Sequence, residues 1–250
     1  MKILITGASS GIGAEFARQY AKAENELFLL ARRGERLSQL KSQLDPYCKS
    51  IELLVVDVTE FEPLQTALEE LGALDLIILN AGISLGHDSI VADSADAKRI
   101  YDVNLLSQHT VVATLLPKML EAKSGHIVFI SSLAALFTMP TATLYASSKR
   151  ALNAYAEGIA YAYHSEGIAV TTIMPGFIRS ELTDKNNFAM PLFLETDVAV
   201  AKMRRAIAKK KPLYAFPWPL YWLMRGVGIL PFWMRVRIVS WLQKGSLNAA

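Results

Sequence analysis

Short apolar runs at residues 3–6, 27–30, 53–56, 76–79, 127–130 and 170–173 alternate along this chain with longer stretches of helical periodicity. A strand made almost wholly of β-branched and leucine residues has no polar face, so it must be covered on both sides. The helical stretches supply that cover, and right-handed crossovers then make the strands parallel. The pattern predicts an α/β fold, a doubly wound parallel sheet of about seven strands, with the seventh at residues 213–216. With 250 residues and 52% hydrophobic content the chain can bury one large core, and a single domain is expected over 1–216. From 217 to 250 the alternation stops and an aromatic, basic extension begins. Pro117 is expected to kink or end the helix that follows Asn104.

In a doubly wound sheet the ligand crevice lies beyond the carboxyl ends of the strands. The first strand ends in Thr6-Gly7-Ala8-Ser9-Ser10-Gly11-Ile12-Gly13, and a helical run starts immediately after it. Glycines at 7, 11 and 13 permit a tight turn, close approach of a pyrophosphate and a helix N-terminus facing the anion. The spacing is not G-x-G-x-x-G, and the lysine of a triphosphate loop is missing. A ligand-free glycine turn is the alternative, and the strand–turn–helix context favours a phosphate cradle.

Tyr145 and Lys149, four residues apart, fall on one face of a helix, and Ser132 stands thirteen residues upstream of the tyrosine. A phenol titrates near pH ~10, too high for proton exchange at neutral pH, and a neighbouring cation lowers it. Lys149 is therefore expected to depress the Tyr145 pKa, with Ser132 holding a substrate carbonyl against the phenol. Helix surfaces also carry such Tyr/Lys pairs for packing and solubility. Alternation along the strand separates Ser131 from Ser132.

Taken in order, Thr6 to Gly13, Asp57-Val58, Asn80-Ala81-Gly82, Asn104, Ser132, Tyr145 with Lys149, and Pro175-Gly176 resemble the motif series of the short-chain dehydrogenase/reductases, over about residues 1–216. The resemblance implies a Rossmann-like fold, an NAD(P) cofactor, and hydride transfer to or from a carbonyl carbon with Tyr145 moving the proton. It implies that Gly7, Ser9, Ser10, Gly11, Ile12 and Gly13 cradle the cofactor, and that Asp57, Val58, Asn80, Ala81 and Gly82 receive its adenosine. Tyr145 and Lys149 would meet the nicotinamide ribose, while Pro175, Gly176, Phe177, Ile178 and Ser180 would hold the carboxamide. Asn104 would hold a water linking Lys149 to solvent, or else bond a helix backbone. Asp57 and Asn80 can equally be turn formers.

The second strand ends Ala31-Arg32-Arg33, where an NAD-binding enzyme places an acid. Two guanidinium forks suit the 2′-phosphate of NADP instead, so NADP is expected. NAD remains open if one arginine is solvated and the other covers the adenine. The family's supporting lysine is absent, since position 10 is serine, and Ser180 replaces a threonine the family often has.

Leu133, Leu136, Phe137, Met139 and residues 188–194 (Phe188 to Leu194) are expected to line an apolar substrate pocket, or to be core. With only Arg179 nearby, an apolar, lipid-like ketone or secondary alcohol fits better than a sugar acid. The one cysteine, Cys48, suits a reducing compartment, and His87, His109, His126 and His164 lack metal-ligand spacing, so no metal is expected. The run Met1 to Thr6 leads straight into the glycine turn, so no secretory leader and a cytoplasmic protein are expected.

All 23 acidic residues precede position 198, whereas ten of the 26 basic ones, and all four tryptophans, follow it. The uncharged stretches of the tail are too short to span a bilayer. Tryptophan and arginine without acid suit an anionic membrane surface, and peripheral contact on the cytoplasmic face through 217–250 is expected. A pocket lid or subunit contact is the alternative. No nucleic-acid module is recognisable. Family analogy suggests a homo-oligomer paired through the helices after Asn104 and over Leu144 to Tyr163. A nucleotide-binding sensor or scaffold acting through the tail is the alternative function.

Overall fold

The computed structural model describes residues 1–85, 93–181, 183 and 190–247, without the side chains of Thr141 and of residues 243–247. Of the residues singled out above, His87, Phe188 and Ala189 lie outside the described residues. The strands are β1 (Lys2–Thr6), β2 (Glu26–Leu30), β3 (Ser50–Leu54), β4 (Leu76–Leu79), β5 (Gly125–Ile130), β6 (Ile168–Pro175) and β7 (Leu213–Phe216). All pair in parallel, in the order β3-β2-β1-β4-β5-β6-β7. The order reverses between β1 and β4, which opens a crevice at their carboxyl ends.

Side chains alternate across each strand, so the sheet builds two cores. Ile3, Ile5 and Leu29 pack with Phe16 of α1 (Gly11–Tyr20), Leu37 of α2 (Gly34–Leu44) and Met203 of α7 (Thr196–Ala208). Leu4, Leu30 and Ile77 point the other way. They meet Leu64 of α3 (Phe61–Glu69), Leu115 of α5 (Ser107–Glu121) and Leu152 of α6 (Thr143–Tyr163).

Two expectations are corrected. β3 starts earlier than residue 53 and stops at Leu54, because its partner β2 runs out at Leu30 and the Ala31 N–H closes the ladder on the Leu54 carbonyl. Val55 is then left exposed. Of the two outcomes expected at Pro117, ending the helix does not occur, since α5 continues to Glu121. Buried Val111, Val112 and Leu115 before the proline and Met119 after it hold both halves on the same core.

α4 (Ser94–Tyr101) starts at Asp93, whose carboxylate accepts from the Asp96 N–H. A π-helical turn, Asp102–Leu106, joins it to α5. After β7 the chain forms α8 (Trp218–Ile229) and α9 (Phe232–Leu247). Among the described residues no helix is long and apolar enough to cross a membrane.

Candidate active site

The glycine turn between β1 and α1 is held open by its neighbours. Gly7 and Gly11 have φ of +66° and +50°, which a side chain would strain. A Cβ at Gly13 would lie 2.2 Å from the Gly7 carbonyl oxygen, so this glycine lets α1 pack on the turn and does not itself face the cleft. Asn80 braces the turn: its Nδ2 donates to the Thr6 carbonyl at 3.0 Å, and its own N–H donates to the Thr6 hydroxyl at 3.0 Å. Thr6 also accepts from the Ala81 N–H, which fixes the approach of β4's end to the turn.

A cleft of about 670 Å³ runs from this turn along the strand ends. Of the cradle and adenosine-side residues named above, Gly7, Ser9, Ser10, Gly11, Ile12, Arg32, Arg33, Asp57, Val58, Asn80, Ala81 and Gly82 line it. Ser132, Tyr145, Lys149, Pro175, Gly176, Ile178 and Ser180 line it as well, whereas Phe177 does not. Asp57 does both things open to it: Oδ1 accepts from the Thr59 N–H and hydroxyl at 3.0 and 2.9 Å, and Oδ2 pairs with Arg32 at 3.4 Å. Arg33 is more constrained, donating to Ser9 Oγ at 3.1 Å and Ser10 Oγ at 2.6 Å.

At the other end Ser131 and Ser132 follow β5 and, against the expected alternation, both line the cleft. Ser131 is buried and donates to the Lys149 carbonyl at 3.3 Å. Ser132 caps the 3₁₀ turn Leu133–Ala135, its Oγ accepting from the Ala134 N–H at 3.1 Å, which leaves the hydroxyl proton to point at an acceptor in the cleft. α6 carries Tyr145 and, one turn on, Lys149, whose Nζ donates to the Ile130 carbonyl at 2.9 Å.

The expected lowering of the phenol by Lys149 is not what this packing produces. Burial pushes Tyr145 up, with the hydrogen bond to Ser132 offsetting part of the rise. Burial also brings Lys149 down to about 8. The ammonium stands 5.9 Å from the centre of the tyrosine ring. Asn104 is fully buried in the π-helical turn. Its Oδ1 accepts from the Ile83 N–H at 2.8 Å, and its Nδ2 donates to the Ile83 carbonyl and Ser148 Oγ, both at 3.0 Å. The side chain thus ties the loop after β4 to α6.

The expected apolar pocket residues are placed differently. Leu133 is buried core, while Leu136, Phe137 and Met139 are half-buried and outside the cleft. Leu192 is exposed, and Leu194 packs on the core below β6. Arg179 forms two hydrogen bonds to the Glu195 carboxylate at 2.9 and 3.1 Å.

Sequence reasoning missed Glu181, which bridges Arg33 at 2.9 Å and also pairs with Arg36. Those hydrogen bonds, from Arg36 first and then Arg33, hold its carboxyl at about 2. It also missed Thr59, Lys98, Arg99 and Thr183 in the cleft wall. Thr183 Oγ1 donates to the Ile178 carbonyl at 2.7 Å and accepts from the Ser180 N–H, so a hydroxyl three residues beyond Ser180 was the available signal.

A parallel sheet reversing at β1 and β4, a glycine turn at the switch point and a Ser–Tyr–Lys group between the end of β5 and α6 make up the architecture of a Rossmann-like oxidoreductase. A model of the short chain dehydrogenase family matches residues 1–190, and the chain belongs to that family, whose members act on CH–OH and C=O groups. An uncharacterized oxidoreductase of Myxococcus xanthus is 33% identical over 232 residues, covering 91% of this chain and 92% of its own length. A 3-oxoacyl-acyl-carrier-protein reductase of Rickettsia conorii is 31% identical over 217 residues, 86% of this chain and 83% of its own. The fold superposes on a short-chain dehydrogenase from Sphingobium yanoikuyae in complex with NADPH, with a TM-score of 0.81 at 23% identity over 100% of this chain and 96% of that one.

Proposed function

We propose that this protein transfers a hydride between NADP(H) and an apolar ketone or secondary alcohol, with Tyr145 as proton donor and acceptor. The observation that carries the reading is the cleft itself: arginines and a backbone cradle at one end, a half-buried phenol and hydroxyl with a buried ammonium at the other. The residues present fit a dinucleotide, since a Cβ at Gly82 would fall 3.2 Å from Lys149 Nζ and one at Gly11 3.3 Å from Ser180 Cβ, in the space a ligand backbone would need. A bound nicotinamide supplies or accepts the hydride; the rest falls to side chains.

Because burial raises Tyr145, the phenol keeps its proton at neutral pH and is ready to act as the acid of ketone reduction. Ser132 donates to the carbonyl oxygen and orients it. Lys149, near 8 and so largely charged at pH 7, stabilises the phenolate left behind and reaches the ribose hydroxyls. Arg32 and Arg33 are assigned to the 2′-phosphate, Asp57 to the adenine, and Pro175, Gly176, Ile178 and Ser180 to the carboxamide. Asn104 is assigned to the proton relay through its backbone, its side-chain atoms being engaged with Ile83 and Ser148.

The apolar substrate is supported by Arg179 being engaged with the Glu195 carboxylate. We assign catalysis to residues 1–216 in a cytoplasmic homo-oligomer, with 217–250 as an appended surface. A panel of ketones and alcohols of graded apolar size, followed by cofactor absorbance, tests the reading. NADPH oxidation dependent on an apolar ketone, and faster than with NADH, is expected. Tight NADPH binding with no turnover of any carbonyl or alcohol would instead indicate a nucleotide sensor.

A further inference from the structure

Each of α1 to α7 buries at least one side chain, but α8 buries none, although Arg225 is its one charged residue. A helix apolar on nearly all sides belongs in a core or in lipid. The inner side of α8 is defined by contact. A Cβ on Gly176 would meet Leu220 Cδ2 at 3.4 Å, and one on Gly228 would meet the Leu136 carbonyl at 3.0 Å. Leu220 therefore faces Gly176 at the end of β6, and Gly228, two turns on, faces Leu136 in the segment that follows Ser132. Trp218, Trp222, Arg225 and Ile229 form an outward stripe, and the three apolar ones are 71%, 60% and 81% exposed. The stripe continues into α9 through Phe232 and Trp233, which are 74% and 59% exposed. The Arg237 guanidinium lies 5.4 Å from the Trp233 ring centre.

Charge decides what covers this face. Residues 198–250 contain ten basic groups and no acid, so a second copy in a two-fold contact would bring arginines against arginines with no carboxylate to pair them. An anionic lipid surface offers the complementary charge, and exposed tryptophans sit well at headgroup depth. We propose that α8 and α9 dock on an anionic phospholipid bilayer and hold the cleft wall at Gly176, against which Leu220 of α8 packs, close to it, so that a membrane-partitioned ketone reaches Tyr145 from the lipid. The delivery half of this statement rests on the hydride-transfer reading; the docking half does not.

Co-sedimentation of the full chain with phosphatidylcholine vesicles, with and without phosphatidylglycerol, tests the docking. Binding to the phosphatidylglycerol vesicles is expected to fall about fivefold for each arginine removed, roughly thirtyfold in R225Q/R237Q. W222S/W233S should weaken binding to both compositions, and unchanged NADPH binding by fluorescence shows that each variant is folded. Failure of the wild type to bind phosphatidylglycerol vesicles overturns the proposal. So does a drop in solution mass in W222S/W233S, which would show a second copy covering the face.

For delivery, R225Q/R237Q should lower kcat/KM for a vesicle-partitioned ketone and spare that for a water-soluble one. Equal effects on both overturn delivery. Vesicle binding without turnover of any ketone refutes the hydride-transfer reading and leaves docking standing.

Discussion

Lys149 is 3% exposed and brought down to about 8 by burial, so the folded protein holds a charge that the unfolded chain carries more comfortably. An ordinary lysine titrates near 10.4, and between about 8 and 10.4 the unfolded chain binds more protons than the folded one. Stability should rise with pH across that window, and below it the full penalty applies. Lys149→Met is therefore expected to lose turnover yet gain about 2 kcal/mol at pH 7 in urea unfolding, a gain that shrinks as pH rises toward 10. Ala31→Asp belongs to the same scale. Ala31 lines the cleft beside Arg32 and Arg33, and a carboxylate there repels a 2′-phosphate. The ratio of kcat/KM for NADP(H) over NAD(H) should fall at least about tenfold. The Tyr145–Lys149 spacing and the bare Arg32-Arg33 pair were legible in the sequence. The direction of the phenol's shift was not, because it depends on how deeply packing buries Tyr145 and on Lys149 spending a hydrogen bond on Ile130.

At the scale of elements, β5 and β6 share a buried polar pair. His126 is 6% exposed, its Nε2 lies 2.8 Å from Thr171 Oγ1, and burial, with Lys210 adding to it, lowers it to about 4. The unfolded chain takes up this proton near 6.5, so stability present above that pH is lost as pH falls toward 4. The loss should reach about 3 kcal/mol, and His126→Gln should flatten the pH dependence of denaturant midpoints in that window. At the turn between β1 and α1, Gly13→Ala should destabilise by about 1–3 kcal/mol in the same assay and abolish NADPH binding, since the added methyl meets the Gly7 carbonyl. Apolar runs located the strands because a doubly covered strand has to be apolar. β3 was misplaced because its end is set by the length of β2, and Pro117 did not stop α5 because a buried stripe on both sides of it outweighed a local break. The Arg33–Glu181–Arg36 link, joining α2 to the segment after β6, pairs residues too far apart in sequence for spacing to show.

Across the whole molecule, β1, β4, β5, α6 and the segment after β6 each contribute one wall of the same cleft, and no single segment holds a competent site. The order of motifs along the chain revealed that assembly, because a doubly wound sheet brings strand ends together in a fixed sequence. The placement of α8 against Leu136 could not be read that way, since it follows no motif and is set by contacts of Leu220 and Gly228. The central claim is that this assembled cleft moves a hydride and that Tyr145 moves the accompanying proton. Tyr145→Phe removes one oxygen and leaves the cradle intact, so single-turnover NADPH oxidation in the presence of an accepted ketone, measured beside NADPH binding by fluorescence, tests it most directly. The account predicts unchanged binding with the oxidation rate down at least about a thousandfold, and near-normal oxidation by the variant would contradict it.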